Sequence, residues 1–320
     1  MSEILLSSFL LIVGFVLLIA SANWLVDGAS GLAKRLNIPD LVIGLTIVAF
    51  GTSAPELVVN IMAAIKGNSE IALTNILGSN TINTLIILGV TAIIYPITSQ
   101  KSSYKIEIPL SIFAGIIVLC LGTNFFLESS TGILSRLDGM ILLLFFIIFM
   151  VHTIYIGKTG NAMQSENFKP MKLWMACILI IIGLVGLIIG GNLIVENAIT
   201  IAKVWGVSEA IIGVTIVALG TSLPELATSA IAATKKNVDI AIGNIIGSNI
   251  FNIFFVLGIS ATIQPLKTYS NFIMDTSMVI LSSCLIFLFV SGKQHTIKRW
   301  HGVILLIIYA VYLYFLLSNI

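Results

Sequence analysis

Long apolar stretches separated by short polar segments make up almost the whole chain. Each stretch is about 20 residues long, the length of an α-helix that crosses the hydrocarbon core of a bilayer. The pattern predicts ten spanning helices, and the longest polar stretch, 157–172, divides them into five and five. The predicted spans are 4–24, 41–65, 71–95, 108–126, 138–157, 172–195, 209–234, 239–264, 273–292 and 300–318.

The two groups of five helices align with each other without a gap. Glu225 lies 169 positions after Glu56, and Asn252 lies 169 positions after Asn83. This constant spacing, the repeat offset, holds along both halves and indicates an internal duplication. We therefore expect a first five-helix repeat in residues 1–157, a short cytoplasmic linker in 158–171, and a second repeat in 172–320.

The basic residues predict the orientation of the chain. Loops after odd-numbered helices, with their immediate edges, hold 12 of the 16 lysines and arginines. Because basic loops stay in the cytoplasm, both termini are expected outside. Five crossings are an odd number, so the second repeat enters from the opposite face. Such inverted repeats are common in secondary transporters, and they also occur in channels.

Composition excludes a water-soluble domain. Hydrophobic residues make up 58% of the chain and charged residues only 9%, whereas soluble domains have about a quarter charged residues. The first stretch follows an acidic residue and has no small-residue cleavage site. It is therefore interpreted as a spanning helix and not as a signal peptide.

The first motif, Gly-Thr-Ser-x-Pro-Glu, occupies 51–56 and again 220–225. Proline removes a helical hydrogen bond and clashes with the preceding turn, so the second and seventh helices are predicted to break here. The half-helix ends near Ala49 and Ala218 would then direct unpaired carbonyls inward. Carbonyls and the negative end of a helix dipole both suit a cation.

Glu56 and Glu225 are the only acidic residues near the middle of a predicted span. A carboxylate at this depth costs several kcal/mol, which makes both residues candidates for function. The alternative is a pair of protonated glutamates that are hydrogen-bonded to neighbouring side chains.

The second motif, Asn-x-x-Gly-Ser-Asn-x-x-Asn, occupies 75–83 and 244–252. Ser79 and Asn83 are four residues apart and share one helix face, as do Ser248 and Asn252. Such side chains often form hydrogen bonds between membrane helices. Their repetition beside the glutamate segments favours a role as cation ligands.

The converging side chains offer oxygen, without sulfur or imidazole. Oxygen ligands suit hard cations such as sodium, calcium, magnesium or manganese, and argue against zinc or copper. Two carboxylates neutralise one divalent ion, and two bidentate glutamates with two carbonyls approach the six to eight oxygens that calcium takes. The ligand set therefore favours calcium over a single monovalent ion.

Together the two motifs resemble the alpha repeats of the sodium/calcium exchanger family, within the calcium/cation antiporter superfamily. The resemblance covers essentially the whole chain and points to a prokaryotic member without a large regulatory loop. It implies an all-α membrane fold of ten transmembrane helices in two inverted five-helix repeats. Helices 2, 3, 7 and 8 would be broken at the core, and helices 1 and 6 would slide across it.

The same resemblance implies a diamond of four ion sites. Calcium would be bound by the Glu56 and Glu225 carboxylates and the Thr52 and Thr221 carbonyls. Sodium would be bound by Ser53, Ser79, Ser222 and Ser248 with the carbonyls of Ala49 and Ala218, while Asn83 and Asn252 would occupy the remaining corner. Potassium-dependent relatives have Asp where Asn252 stands, so no potassium requirement is expected.

We therefore expect an antiporter of the cell membrane that exchanges sodium for calcium by alternating access. It would have no enzymatic activity, organic cofactor, nucleic-acid partner or obligate protein partner. The alternatives are a proton/calcium antiporter, a carrier of another divalent such as manganese, and a passive channel. The Thr-Ser pairs favour sodium, because proton-coupled relatives typically have a Gly-Asn sequence there.

Overall fold

The computed structural model describes residues 2–100, 103–123, 132–159, 171–212, 215–216, 218–292 and 294–318, and nearly all of them are helical. The α-helices are α1 (Ser2–Leu36), α2 (Asp40–Ile43), α3 (Ala49–Thr52), α4 (Ala54–Ile65), α5 (Ser69–Ile82), α6 (Leu88–Ile94), α7 (Ile108–Gly122), α8 (Arg136–Thr159), α9 (Leu173–Val204), α10 (Glu209–Ile212), α11 (Ala218–Thr221), α12 (Leu223–Thr234), α13 (Val238–Ile250), α14 (Gly258–Ile263), α15 (Phe272–Val290) and α16 (Arg299–Ser318). Most of the predicted linker, 160–170, and Gly213 lie outside the described residues.

Eight of the described helices are long and apolar enough to cross a membrane, or nine with the bent pair Asp40–Thr52 and Ala54–Ile65. This confirms a multi-pass membrane protein. The predicted span 209–234 includes residues outside the described part, and α10, α11 and α12 are what the structure describes of it. The ten-helix count therefore stays a prediction.

Proline interrupts the helices that carry the first motif. The second span bends by 48° where α3 gives way to α4, and Ser53 between them has φ −82° and ψ 7°. In the second half, Ser222 separates α11 from α12 with φ −87° and ψ 3°. Pro55 and Pro224 lie in the first turn of the helices that follow, where the missing amide hydrogen costs nothing.

The predicted breaks in helices 3 and 8 are wrong. Each runs as one helix, Ser69–Ile94 and Val238–Ile263, and each contains a π-helical segment, Asn83–Ile87 and Phe251–Leu257. The motif there has glycine but no proline, and a glycine within a helix costs only about 1 kcal/mol. A π-helical turn re-aims the side chains while it keeps the backbone hydrogen bonds.

Helices 3 and 8 form the centre of the fold. In their most apolar stretches 78% and 94% of the residues are buried, against 22% for α1 and 17% for α16. Both begin at an asparagine cap, since the Asn68 side chain accepts a hydrogen bond from the Ile71 amide and Asn237 accepts one from Ile240. The caps are related by the repeat offset and begin the two helices in the same way.

The long helices α1 and α9 pack against each other through glycines. A methyl group at Gly183 would lie 2.8 Å from the Leu25 nitrogen, and one at Gly190 would lie 2.9 Å from the Leu18 nitrogen. Helix α9 also crosses both helix breaks, because Gly51 faces its Leu184 side chain and Gly220 faces Val195. One helix therefore contacts the first motif of both halves.

Two short ladders join the halves at their loops. The strands are β1 (Ile97–Thr98), β2 (Ile133–Leu134), β3 (Leu266–Lys267) and β4 (Thr296–Ile297). Strand β1 pairs antiparallel with β4, and β2 pairs antiparallel with β3. Each ladder therefore takes one strand from each half of the chain.

Candidate cation site

The two glutamates of the first motif meet at the centre of the molecule. Glu56 and Glu225 are fully buried and close enough for their charges to interact. Each lies in the first turn of a helix, α4 or α12, directly after the proline. The positive end of the helix dipole there stabilises a carboxylate that the surrounding protein would otherwise disfavour.

Serines of both motifs donate hydrogen bonds to the glutamates. Within one half, the Ser79 hydroxyl donates to Glu56 Oε1 at 3.4 Å, and the Ser248 hydroxyl donates to Glu225 Oε1 at 3.5 Å. Across the halves, the Ser53 hydroxyl donates to Glu225 Oε1 at 3.0 Å. The site is therefore assembled from both motifs of both halves of the chain.

The threonines of the first motif also contact the opposite half of the chain. The Thr52 hydroxyl donates to Asn244 Oδ1 at 3.0 Å, and the Thr221 hydroxyl lies 3.5 Å from the Ser79 hydroxyl. The Oε2 atom of each glutamate is buried and has no hydrogen-bond partner among the described residues. These two oxygens are available to a cation.

The asparagines at the end of the second motif are also buried at this centre. Neither amide atom of Asn83 has a hydrogen-bond partner within the described part of the chain. The Asn252 amide donates to Asn80 Oδ1 at 3.1 Å, while its own Oδ1 stays unpaired among the same residues. Each asparagine therefore has a free carbonyl oxygen.

The Ala49 carbonyl is paired, contrary to the prediction. It accepts hydrogen bonds from the Ser53 amide at 3.0 Å and the Thr52 hydroxyl at 3.4 Å, because the break is only one residue long. In the second half the Ser222 amide bonds to Leu219, at 3.2 Å, and not to Ala218. A carbonyl oxygen has two lone pairs, so Ala49 can still contact a cation.

A cavity of about 530 Å³ leads to the site from one face of the molecule. Its inner end reaches Ser79, Ala218 and Thr221, and its outer part is lined by acids and tyrosines that include Glu70 and Asp275. The lining contains no lysine, arginine or histidine among the described residues. A low-dielectric cleft with one sign of charge concentrates ions of the opposite sign, here cations.

Sequence reasoning missed a set of polar contacts that brace the glutamate helices. The Asn75 amide donates to Asn60 Oδ1 at 2.6 Å, and the Asn244 amide donates to the Ser229 hydroxyl at 2.9 Å. Asn60 and Ser229 are themselves related by the repeat offset. A search for polar residues that repeat at this offset would have found them.

The central helices also hold each other through amide side chains. Asn80 donates to the Asn249 carbonyl at 3.1 Å, and the Asn249 amide donates to the Thr84 hydroxyl at 2.9 Å. Asn80 and Asn249 are the asparagines that follow serine in the two copies of the second motif. They connect helix 3 with helix 8, which is the structural role that such residues often have in membranes.

Comparison with known proteins gives matches along almost the whole chain. A family described as "Sodium/calcium exchanger protein" matches residues 6–155 and 175–318. The putative antiporter CaxA of Alkalimonas amylolytica is 41% identical over 98% of this chain and 100% of its own. The sodium/calcium exchanger MaX1 of Methanosarcina acetivorans is 33% identical over 95% of this chain and 96% of its own.

A solved structure agrees with the fold. The sodium-calcium exchanger NCX_Mj, soaked with sodium and without calcium, superposes with a TM-score of 0.84 at 31% sequence identity. The match covers 97% of this chain and 98% of that chain. The likeness therefore extends over nearly the whole length of both chains.

Proposed function

Since the chain belongs to the sodium/calcium exchanger protein family, we propose that it exchanges sodium for calcium across the cell membrane. The family resemblance predicted from the two motifs is confirmed by the comparisons. Exchangers are transporters, so the prediction that the chain is not an enzyme is confirmed as well. The observation that carries the choice of ion is the pair of buried carboxylates, which together neutralise one divalent cation.

Calcium would bind between the two glutamates. Calcium takes about six to eight oxygens at about 2.3–2.6 Å. The carboxylates of Glu56 and Glu225 with the carbonyls of Thr52 and Thr221 supply six when both glutamates bind in a bidentate way. The unpaired Oε2 atoms of the glutamates support this assignment.

Sodium ions would bind next to the calcium position and, when calcium is absent, would share the two glutamates. A serine hydroxyl that donates its hydrogen to a carboxylate keeps both lone pairs for a cation, and Ser53, Ser79 and Ser248 all donate in this way. The full sodium set would be Ser53, Ser79, Ser222 and Ser248, the carbonyls of Ala49 and Ala218, and parts of the two glutamates, with Asn83 and Asn252 at the fourth corner.

Ten helices in two inverted repeats, 1–157 and 172–320, would carry these ligands, and the strand ladders support the inversion. One span, Ser103–Gly122, separates β1 from β2, so the two strands lie at opposite faces of the membrane. Strand β3 is the counterpart of β1 at the repeat offset but pairs with β2. Equivalent loops of the two halves would therefore lie on opposite faces, with the linker 158–171 in the cytoplasm and both termini outside.

Transport would proceed by alternating access. The cavity that ends at Ser79 and Thr221 would give ions a route to the site from the face of β3, and the distribution of basic residues predicts that this face is outside. On the opposite side Gly247 lies against Ala49 and Leu45, so the helices there are closely packed. Movement of α1 and α9 across the broken helices would close one route and open the other.

The test is ion flux through the purified chain in proteoliposomes. An outward sodium gradient should drive uptake of radioactive calcium, and a pH gradient at equal sodium should not. Uptake that follows the pH gradient and ignores sodium would favour the proton-coupled alternative. Calcium flux that needs no counter-ion would identify a channel, and either result would refute sodium/calcium exchange.

A further inference from the structure

One hydrogen bond joins the two halves beside the central site, and its repeat counterpart is not formed in the described structure. The Thr52 hydroxyl donates to Asn244 Oδ1 at 3.0 Å, and both side chains are buried. The residues at the repeat offset are again a threonine and an asparagine, Thr221 and Asn75. Among the described residues no hydrogen bond joins this second pair, and the Thr221 hydroxyl lies 3.5 Å from the Ser79 hydroxyl instead.

The Asn244 amide group has a defined orientation. Its nitrogen donates to the Ser229 hydroxyl at 2.9 Å and, at a longer distance of 3.4 Å, to the Glu225 main-chain carbonyl. Because a carbonyl can only accept a hydrogen bond, the amide nitrogen faces α12 and the amide oxygen faces Thr52. The side chain therefore connects the last residue of α3 with the backbone of the second glutamate.

The surroundings of the two pairs differ in the same way as the bonds. On the side of the formed bond, α13 packs directly on the second span, since a methyl group at Gly243 would lie 2.9 Å from the Leu41 carbonyl oxygen. The counterpart of Gly243 at the repeat offset is Thr74. Thr74, Asn75 and Thr221 all line the cavity. The bond is therefore formed where the helices are in contact, and it is open where the cavity separates them.

We propose that these two hydrogen bonds act as latches, of which Thr52–Asn244 closes one route to the site and Thr221–Asn75 closes the other. The proposal rests on the sodium/calcium exchange proposed above. Asn244 and Asn75 are then positioning residues, because each holds the threonine whose main-chain carbonyl is assigned to calcium. Both latches together would describe the state in which neither route is open.

Thiol labelling of the full-length chain tests the latches without requiring transport. In a cysteine-free background, Thr74→Cys reports on the cavity, and Ile240→Cys, at a fully buried position, reports on the closed side. Thr52→Val removes the hydroxyl and keeps the main-chain carbonyl. A neutral hydrogen bond changes an equilibrium by about fivefold, so this variant should raise the ratio of Ile240→Cys labelling to Thr74→Cys labelling by about that factor. Thr221→Val should lower the ratio.

Two controls separate a latch from a general loss of stability. Thr52→Ser keeps the hydroxyl and should label as the parent chain does. Thr153→Val removes a buried hydroxyl that bonds within α8, to the Phe149 carbonyl at 2.8 Å, and should leave the ratio unchanged. Shifts in the same direction for Thr52→Val and Thr221→Val, or no shift for either, would overturn the proposal. Sodium-driven calcium uptake by the parent chain is measured separately, which distinguishes a failure of the exchange function from a failure of the latches.

A cross-link covers variants that do not fold. In the cysteine-free chain, Asn75→Cys together with Thr221→Cys should form a disulfide on mild oxidation, because closure of the cavity brings the two side chains together. Neither single substitution should do so within one chain. The cross-linked protein should lose calcium uptake and regain it on reduction. A pair that never cross-links while calcium uptake continues would overturn the second latch.

Discussion

The two halves of the chain have matching motifs and different surroundings. Among the described residues, none would lie within 4 Å of a methyl group added at Gly78, whereas one at its counterpart Gly247 would lie 2.8 Å from the Ala49 side chain and 2.9 Å from the Leu45 Cα. The two copies of the first motif also differ in burial, and here the second copy is the more open one. Ala49 is buried, and its counterpart Ala218 is partly exposed and lines the cavity.

The comparison shows that one half is open where the other half is closed. Thr52 is 1% exposed, while Thr221 borders the cavity. Ser53 donates to Glu225, while the Ser222 hydroxyl is unpaired within the described chain. Because the compared residues are identical in the two halves, the difference lies in how they are packed. If the two halves exchanged these environments, the central site would become accessible from the opposite face of the membrane.

The largest effect on calcium transport is expected at the two glutamates, where the halves should be equivalent. Glu56→Gln and Glu225→Gln each remove half of the negative charge at the centre, so each should reduce calcium transport at least a hundredfold. Calcium uptake into proteoliposomes measures the loss. Glu196→Gln, at an exposed position of α9, is the control and should transport normally.

Both glutamate variants should stay folded, because the neutral amide keeps the shape of the side chain and loses only charge. Monodisperse elution and an unchanged helical spectrum check this point. Substantial calcium transport by either variant would refute the central assignment, and transport by only one would mean that the halves are not equivalent in binding.

Substitutions at Gly78 and Gly247 should have different effects, because one glycine lies on the open side and the other on the closed side. Gly78→Leu places a side chain where the described residues leave open space, so the protein should fold, but the side chain should block closure on that side and slow exchange at least tenfold. Gly247→Ala forces apart the closed side, because its Cβ would meet the Leu45 backbone at 2.9 Å. It should favour the opposite conformation.

Thiol labelling at the cavity reports these shifts. In a cysteine-free background, Thr74→Cys lines the cavity without being a proposed ligand. Gly78→Leu should increase its labelling by an impermeant reagent, and Gly247→Ala should decrease it. Equal labelling in both variants would mean that the packing of these glycines does not decide which side is open.

The asparagine pair should respond unequally to added charge. Asn83→Asp and Asn252→Asp both bring the central charge to −3, so both should change the relative preference for sodium, potassium and calcium severalfold. Only Asn252→Asp also loses a donor to Asn80, which should cost about 1 kcal/mol of stability without ions. Ion competition and thermal unfolding measure the two effects, and equal unfolding temperatures would contradict the assigned hydrogen bond.

The two serines of the first motif should differ in their effect on stability. Ser53→Ala removes a hydrogen bond to a carboxylate at 3.0 Å and should destabilise this conformation by about 1.5 kcal/mol. Ser222→Ala removes a hydroxyl that is unpaired within the described structure and should be nearly neutral. Thermal unfolding in sodium-free detergent compares them, and equal losses would show that the difference between the halves is not kept in solution.

Much of the site could be predicted, because burying a polar group in a membrane costs free energy and such residues are therefore rare outside functional sites. A buried carboxylate at Glu56 or Glu225 is tolerated only where other groups stabilise it, and the repeat offset identifies those groups from the amino-acid sequence. The structure brings Ser53, Ser79 and Ser248 to the glutamates, as the motifs indicate. Their roles as ion ligands stay predictions.

Other features could not be predicted from the motifs. The length of the break at Ser53 decides whether the Ala49 carbonyl is paired, and proline fixes only where the break lies. Glycine and serine in the second motif permit a bend without requiring one, so helices 3 and 8 stay continuous. Two similar sequences also cannot indicate which half is open, since that depends on how they pack.

The glycine contacts between α1 and α9 have a consequence for leakage. Backbone packed this closely leaves no side-chain layer that would let one helix move without the other. Because α9 crosses both helix breaks, we expect a displacement that frees one break to press on the other. A state in which both routes are open and ions leak down their gradients is then sterically disfavoured. The coupling of the two ion fluxes therefore depends on a few residues that never contact an ion.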